Sequence, residues 1–230
     1  MSNTTQSNSN RQRSGIWDAA DCALLLIDYQ DGVLGTVFEQ DRRLVELNAR
    51  TLATAALAFN IPVVLSTVGV EMGVNGPTIP SLKAALPNVR EIDRSSMDSW
   101  ADPAFLATVK ATGRKRLVMA GIVTSVCLAY PAVNALADGY EVSFIADASG
   151  DNYKETHDTA VLRLALAGAV PNTTIAMIAE WFRDWKSPLA DSARKIFPPY
   201  FEEATALKRA PQFQQPKGLG ARAPKTAVHA

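Results

Sequence analysis

Three residues of types that do chemistry stand at the ends of apolar runs: Cys127, Asp28 and Arg94. Cys127 lies in Gly121-Ile122-Val123-Thr124-Ser125-Val126-Cys127-Leu128-Ala129-Tyr130. The run before it, Leu117 to Ala120, is apolar and bounded by Lys115-Arg116 and Gly121, which reads as a buried parallel strand. Thr124 or Ser125 can cap a helix running on to Ala137, closed by Asp138-Gly139. Cys127 is therefore predicted in the first turn of a helix, just past the carboxyl end of a strand. Unpaired N–H groups at that position favour a thiolate. A small apolar cysteine filling a strand–helix junction fits the same stretch.

Asp28 follows the apolar run Ala23 to Ile27, where it is either a turn cap or a base. Arg94 follows Val89 to Asp93, as either an exposed arginine or a site cation. If all three share one sheet edge, they can do nucleophilic catalysis without histidine. The cation would lower the thiol pKa, and the carboxylate could take the thiol proton and return it to a leaving amine. Backbone donors in the turn before Cys127 could hold an oxyanion.

The elements that must place them alternate. Strands are predicted over 23–27, 61–67, 89–93, 117–120, 140–146 and 173–178. Helices are predicted over 41–59, 81–86, 104–111, 126–137, 154–167 and 187–207. This pattern implies an α/β three-layer sandwich, a six-stranded parallel sheet with helices on both faces. Ligands of such sheets bind at the carboxyl ends of the strands. The Gly- and Pro-containing stretch 68–80 is a candidate site wall there. Pro131 falls inside the predicted helix and removes the N–H that would bond the Cys127 carbonyl. It is either a tolerated kink or a device that sets the angle of the cysteine's turn. The aromatic segment Trp181-Phe182-Arg183-Asp184-Trp185 could pack on its own core or on another subunit.

Composition narrows the classes. The chain has 230 residues, 47% hydrophobic, enough for one full-sized core spanning 15–207. Polar residues 1–14 read as a disordered tail and 208–230 as a flexible one. Lys+Arg and Asp+Glu both number 23, which points to no nucleic acid and no membrane partner. Two cysteines, Cys22 and Cys127, are too few for a disulfide framework. The two histidines, His157 and His229, leave at most one for a Cys-His arrangement. The absence of a long apolar run and of a signal-peptide core leads us to expect a cytoplasmic location.

The sequence also resembles a family. Leu26-Ile27-Asp28-Tyr29-Gln30, Arg94 six residues before Trp100, and Gly121 to Cys127 resemble the isochorismatase-like cysteine hydrolases. The resemblance runs from about Trp17 to Phe197. It is closest to the YcaC-like branch, in Asn75-Gly76-Pro77, Ala111-Thr112-Gly113, Tyr130-Pro131-Ala132, Asp147-Ala148-Ser149-Gly150 and Arg183-Asp184-Trp185. It implies Cys127 as nucleophile, Asp28 as general base and Arg94 as the triad cation. It implies a cis peptide between Ile122 and Val123, with the N–H groups of Val123 and Cys127 as the oxyanion hole. It further implies a homo-oligomer, with the octamer of that branch as the model for it.

Two departures are visible. Most of the family has Lys where this chain has Arg94, and an arginine can hold a carboxylate in a planar fork but not shuttle protons. The nicotinamidase branch has an Asp-x-His metal cluster beside the second strand, where this chain reads Val68-Gly69-Val70-Glu71. We therefore expect no metal and no cofactor. The leading expectation is hydrolysis of a small amide or related C–N bond through a thioester. Trp100, Phe38, Tyr153 and the 68–80 stretch are expected walls for a small-molecule substrate, on position only. A thiol sensor or binder without turnover, and an oligomeric scaffold with an idle pocket, are the alternatives.

Overall fold

The computed structural model describes residues 15–209; both expected tails lie outside the described residues, except that the last helix runs through Arg209. Six strands form one sheet: β1 (Cys22–Ile27), β2 (Val63–Val68), β3 (Glu91–Arg94), β4 (Arg116–Gly121), β5 (Glu141–Ile145) and β6 (Val170–Asn172). Their spatial order is β3-β2-β1-β4-β5-β6, and every pairing is parallel. The order reverses between β1 and β4, where open α/β sheets form their ligand crevice.

Alternate residues of the central strand serve opposite layers. Leu24 and Leu26 join the core that holds Val45, Ala49 and Leu52 of α2 (Arg42–Ala58), after the short α1 (Asp31–Leu34). Leu82 of α3 (Pro80–Ala85) joins the same core. Ala23, Leu25 and Ile27 face the other core, with Phe105 and Val109 of α4 (Pro103–Ala111), Ala132 and Ala135 of α5 (Ala129–Ala137) and Leu164 of α6 (Lys154–Leu166). All six β1 side chains are buried, as a strand covered on both faces requires. The helices α7 (Thr174–Phe182) and α8 (Ala190–Arg209) return to the first layer.

The sixth strand is not where the sequence pattern puts it. The β-branched run Thr173 to Ile178 suggests a strand, but Thr174–Phe182 is helical. Its buried residues, Thr174, Met177, Ile178, Trp181 and Phe182, follow the spacing of one helical face. Asp147 holds the helix start, its Oδ1 accepting from the Thr174 N–H and hydroxyl at 2.8 Å each. The true edge strand is the short segment containing Pro171, a residue that an edge tolerates because one side of its backbone needs no ladder partner. Trp181 and Phe182 fill the chain's own core, while Trp185 is half exposed.

Candidate active site

Asp28 directly follows β1 with φ +62°, a left-handed backbone that Asp tolerates better than most side chains. The turn is held locally: the Asp28 N–H donates to the Ser66 carbonyl at 3.0 Å, and the Gln30 N–H to the Asp28 carbonyl at 2.9 Å. Arg94 is the last residue of β3, two strands away. Its Nη1 donates to Asp28 Oδ1 and its Nη2 to Oδ2, both at 2.7 Å, and Nη1 also donates to the Thr67 carbonyl at 2.9 Å. Both side chains are fully buried. The reading of Arg94 as an exposed side chain is thereby corrected, because its long stem runs back across β2 to Asp28. Burial works against the guanidinium charge, but the Asp28 bonds and charge outweigh it and hold Arg94 protonated.

Cys127 sits over this pair. The segment Thr124–Leu128 is one turn of π-helix, with the Leu128 N–H reaching back five residues to the Val123 carbonyl at 3.2 Å. The widened turn passes into α5 just before Pro131, whose missing N–H could not have served the Cys127 carbonyl. Gly121 permits close packing beneath it: a Cβ there would stand 3.0 Å from both the Cβ and carbonyl oxygen of Ile27. The peptide bond between Ile122 and Val123 is cis. The Val123 N–H hydrogen-bonds the Cys127 sulfur.

The thiol is not acidified at rest. Burial, then the Asp28 charge and hydrogen bond, push it up to about 12, against the opposing pull of the Val123 N–H and Arg94. The expectation of a helix-stabilised thiolate fails for two reasons. The carboxylate faces the sulfur directly, and the Ser125 N–H at the start of the turn is taken by Asp151 Oδ2 at 2.7 Å. His157 does not reach the sulfur; its Nδ1 pairs with the Thr124 hydroxyl at 2.9 Å, and burial pulls its pKa down.

The sulfur opens on a cleft of about 490 Å³. Val33, Met72, Val74, Met97 and Val126 give it an apolar wall, and Thr36, Ser95, Asn75 and Asn152 supply the polar atoms. Five residues of the 68–80 stretch contribute. Trp100 does not line this cleft; it is buried with its indole N–H on Asp138 Oδ2 at 2.8 Å and its ring 5.2 Å from Tyr140. Phe38 and Tyr153 pair with each other at 5.8 Å and are more than half exposed, beside Asn152 but outside the lining. Nearness in sequence misled here, since side-chain direction decides lining and sequence does not give it.

Two positioning residues were missed. Gln30 is fully buried and clamps the 68–80 stretch: its Oε1 accepts from the Val68 N–H at 2.9 Å, and its Nε2 donates to the Val68 and Gly76 carbonyls at 3.2 and 2.6 Å. Asp93 anchors the start of the same stretch by accepting from Thr67 Oγ1, the Val70 N–H and the Glu71 N–H. Desolvation acts to raise the Asp93 pKa, but those donors prevail and lower it. Both residues are polar side chains in or next to strand ends, the one signal that could have marked them.

A family model described as the isochorismatase domain matches residues 22–176. The chain belongs to the isochorismatase family. Within that family it is YcaC-like. It is 39% identical over 173 residues to a probable hydrolase, YcaC, of Escherichia coli K12, across 75% of this chain and 83% of the relative. The solved E. coli YcaC, described as an octameric hydrolase of unknown specificity, superposes with a TM-score of 0.75 at 36% identity, covering 84% of this chain and 96% of the other. YcaC from Pseudomonas aeruginosa, solved with hexane-2,5-diol and covalent acrylamide, gives 0.75 at 33% identity over 84% and 98%. Among the described residues, no helix of this family member is long and apolar enough to cross a membrane.

Proposed function

We propose that this isochorismatase-family protein is a cysteine-dependent hydrolase of small amides or related C–N bonds. The observation that carries the reading is the buried Asp28–Arg94 pair beside the Cys127 sulfur at the floor of an apolar cleft. Cys127 Sγ attacks the carbonyl carbon as its proton passes to Asp28. The backbone N–H groups of Val123 and Cys127 hold the oxyanion. The C–N bond then breaks, the leaving nitrogen takes the proton from Asp28, and a thioester remains on Cys127. Water attacks the thioester, gives its proton to Asp28, and the proton returns to the sulfur as the acid leaves. Arg94 orients the carboxylate in a planar fork and cancels its charge without exchanging protons itself.

A resting thiol pushed up to about 12 supports attack coupled to proton transfer, and speaks against a sensor that relies on a standing thiolate. The covalent acrylamide in the P. aeruginosa relative adds support, since acrylamide is both a small amide and a thiol-reactive electrophile. The octamer described for the E. coli relative supports a homo-oligomer here. The exposed Trp185 and Phe201 of this chain offer apolar surface to bury in one.

The test is a mass-spectrometric search for acyl adducts on Cys127 after exposure to a panel of small amides, with product acid followed over time. An acyl–Cys127 species and multiple turnovers that vanish in Cys127→Ser support the reading. Turnover that survives Cys127→Ser overturns it.

A further inference from the structure

We propose that the Cys127 cleft selects uncharged, apolar acyl groups and discriminates against carboxylates; that the group is an acyl group rests on the amide-hydrolase reading. Among the residues lining the cleft there is no lysine, arginine or histidine. Among the described residues the one cation near the sulfur is Arg94, and both of its Nη atoms donate to Asp28, so its charge is already paired. The guanidinium also faces the Cys127 sulfur, but it is buried and its charge is already paired with Asp28.

The charged groups that brace the cleft are acids. Asp93 holds the start of the 68–80 stretch, and Asp151 holds the turn that carries Cys127. An incoming carboxylate would lose its water, meet the Asp93 and Asp151 carboxylates around the site, and find no unpaired cation lining the cleft among the described residues. A hydrocarbon chain would find Val33, Val126 and the three mouth residues Met72, Val74 and Met97. Those three are 65%, 68% and 58% exposed and lie together along the cleft. Covering them with a substrate's alkyl chain removes apolar surface from water, and methionine adapts its shape to the occupant. The volume of about 490 Å³ suits a small molecule, with Asn75, Asn152, Thr36 and Ser95 to orient an uncharged polar end.

The experiment uses two reagents of nearly the same size, iodoacetamide and iodoacetate, on the full chain. The Cys127 adduct is read by peptide mass spectrometry, and each rate is divided by that for free glutathione. The corrected amide-to-acid ratio is expected to exceed one by at least roughly tenfold. In Met97→Lys, which puts a cation at the mouth on an already exposed position, the ratio should fall several-fold. A ratio near one in the native chain, or a preference for iodoacetate, overturns the proposal. Hexanamide against the singly ionised monoamide of adipic acid then separates the two readings. Hydrolysis of hexanamide at least roughly tenfold faster supports both. Faster hydrolysis of the anion overturns the selectivity while sparing the hydrolase. Turnover of neither, with the alkylation ratio intact, counts against the hydrolase and leaves the selectivity standing.

Discussion

Each carboxylate oxygen of Asp28 accepts from a different Nη of Arg94, both at 2.7 Å, with neither side chain exposed. The geometry makes the two residues one unit, so replacing either one changes the surroundings of both.

Arg94→Lys supplies the charge but only one of the two aligned bonds. Losing one charge-assisted hydrogen bond is expected to lower kcat/KM about tenfold to a hundredfold. Arg94→Met leaves the Asp28 carboxylate buried without a partner and is expected to cost about 3–5 kcal/mol of stability. Urea denaturation of both variants checks the second figure. A Met variant as stable as the native chain would mean that Asp28 finds other solvation.

Asp28→Asn should split two properties that usually move together. Hydrolysis should fall about 10²–10⁴-fold with the base gone. The Asp28 charge is also one of the causes that push the Cys127 thiol up, so its removal moves the thiol pKa down from about 12, with Arg94 now unopposed. Alkylation of Cys127 at mildly alkaline pH should therefore speed up while turnover drops. Slower alkylation in Asp28→Asn would show that the carboxylate activates the resting sulfur instead.

Gln30→Ala removes three hydrogen bonds that tie the end of β1 to Val68 and Gly76. At about 1 kcal/mol each, the loss should reach about 2–3 kcal/mol. Faster amide hydrogen exchange confined to residues 69–79, with a raised KM, is the expected signature. Unchanged exchange there would remove Gln30 from the cleft's support.

Stability should fall on the alkaline side. The Cys22 and Cys127 thiols are both pushed up to about 12, chiefly by burial, and Tyr29 is also raised. A raised pKa means that the folded chain keeps its proton after the unfolded chain has released it. The stabilisation is therefore complete below the ordinary thiol value near 9 and is lost as pH climbs toward 12. Urea midpoints from about pH 8 to about pH 11 should decline, and more shallowly when both cysteines are alanine. Parallel slopes in the two proteins would refute the contribution of the thiols.

The assembly expectation is checked by light scattering at micromolar concentration. A homo-oligomer should be seen, and Trp185→Ser with Phe201→Ser should weaken it. A stable native monomer refutes it.

Much of the frame was legible because β1 and β4 are continuous apolar runs, each closed by a polar residue or glycine where the strand stops. That pattern alone places Asp28 and Cys127 on one sheet edge. The edge of the sheet was less legible, because β6 is three residues long and contains Pro171, while the adjoining Thr173 to Ile178 mimics a strand in composition. Spacing would have corrected it, since the buried positions of α7 recur every three to four residues. The depth of Arg94 and the direction of Trp100 were not legible, because both depend on where long side chains turn once the layers pack. The protonation of Cys127 failed for a related reason: desolvation and a facing carboxylate are properties of the assembled site.

The insertion of β4 beside β1, and not beyond β3, orders events during synthesis. A growing chain that has reached Arg94 already possesses the base and its guanidinium partner, with one side of β1 still bare. The sulfur comes 33 residues later and docks on that open side. A ribosome-bound or truncated chain ending before β4 therefore contains Asp28 and Arg94 but not the sulfur on which they act. The arrangement of base, cation and sulfur is complete only when the middle of the sheet closes, and closure also shields the thiol, so slowed labelling of Cys127 reports a completed sheet centre.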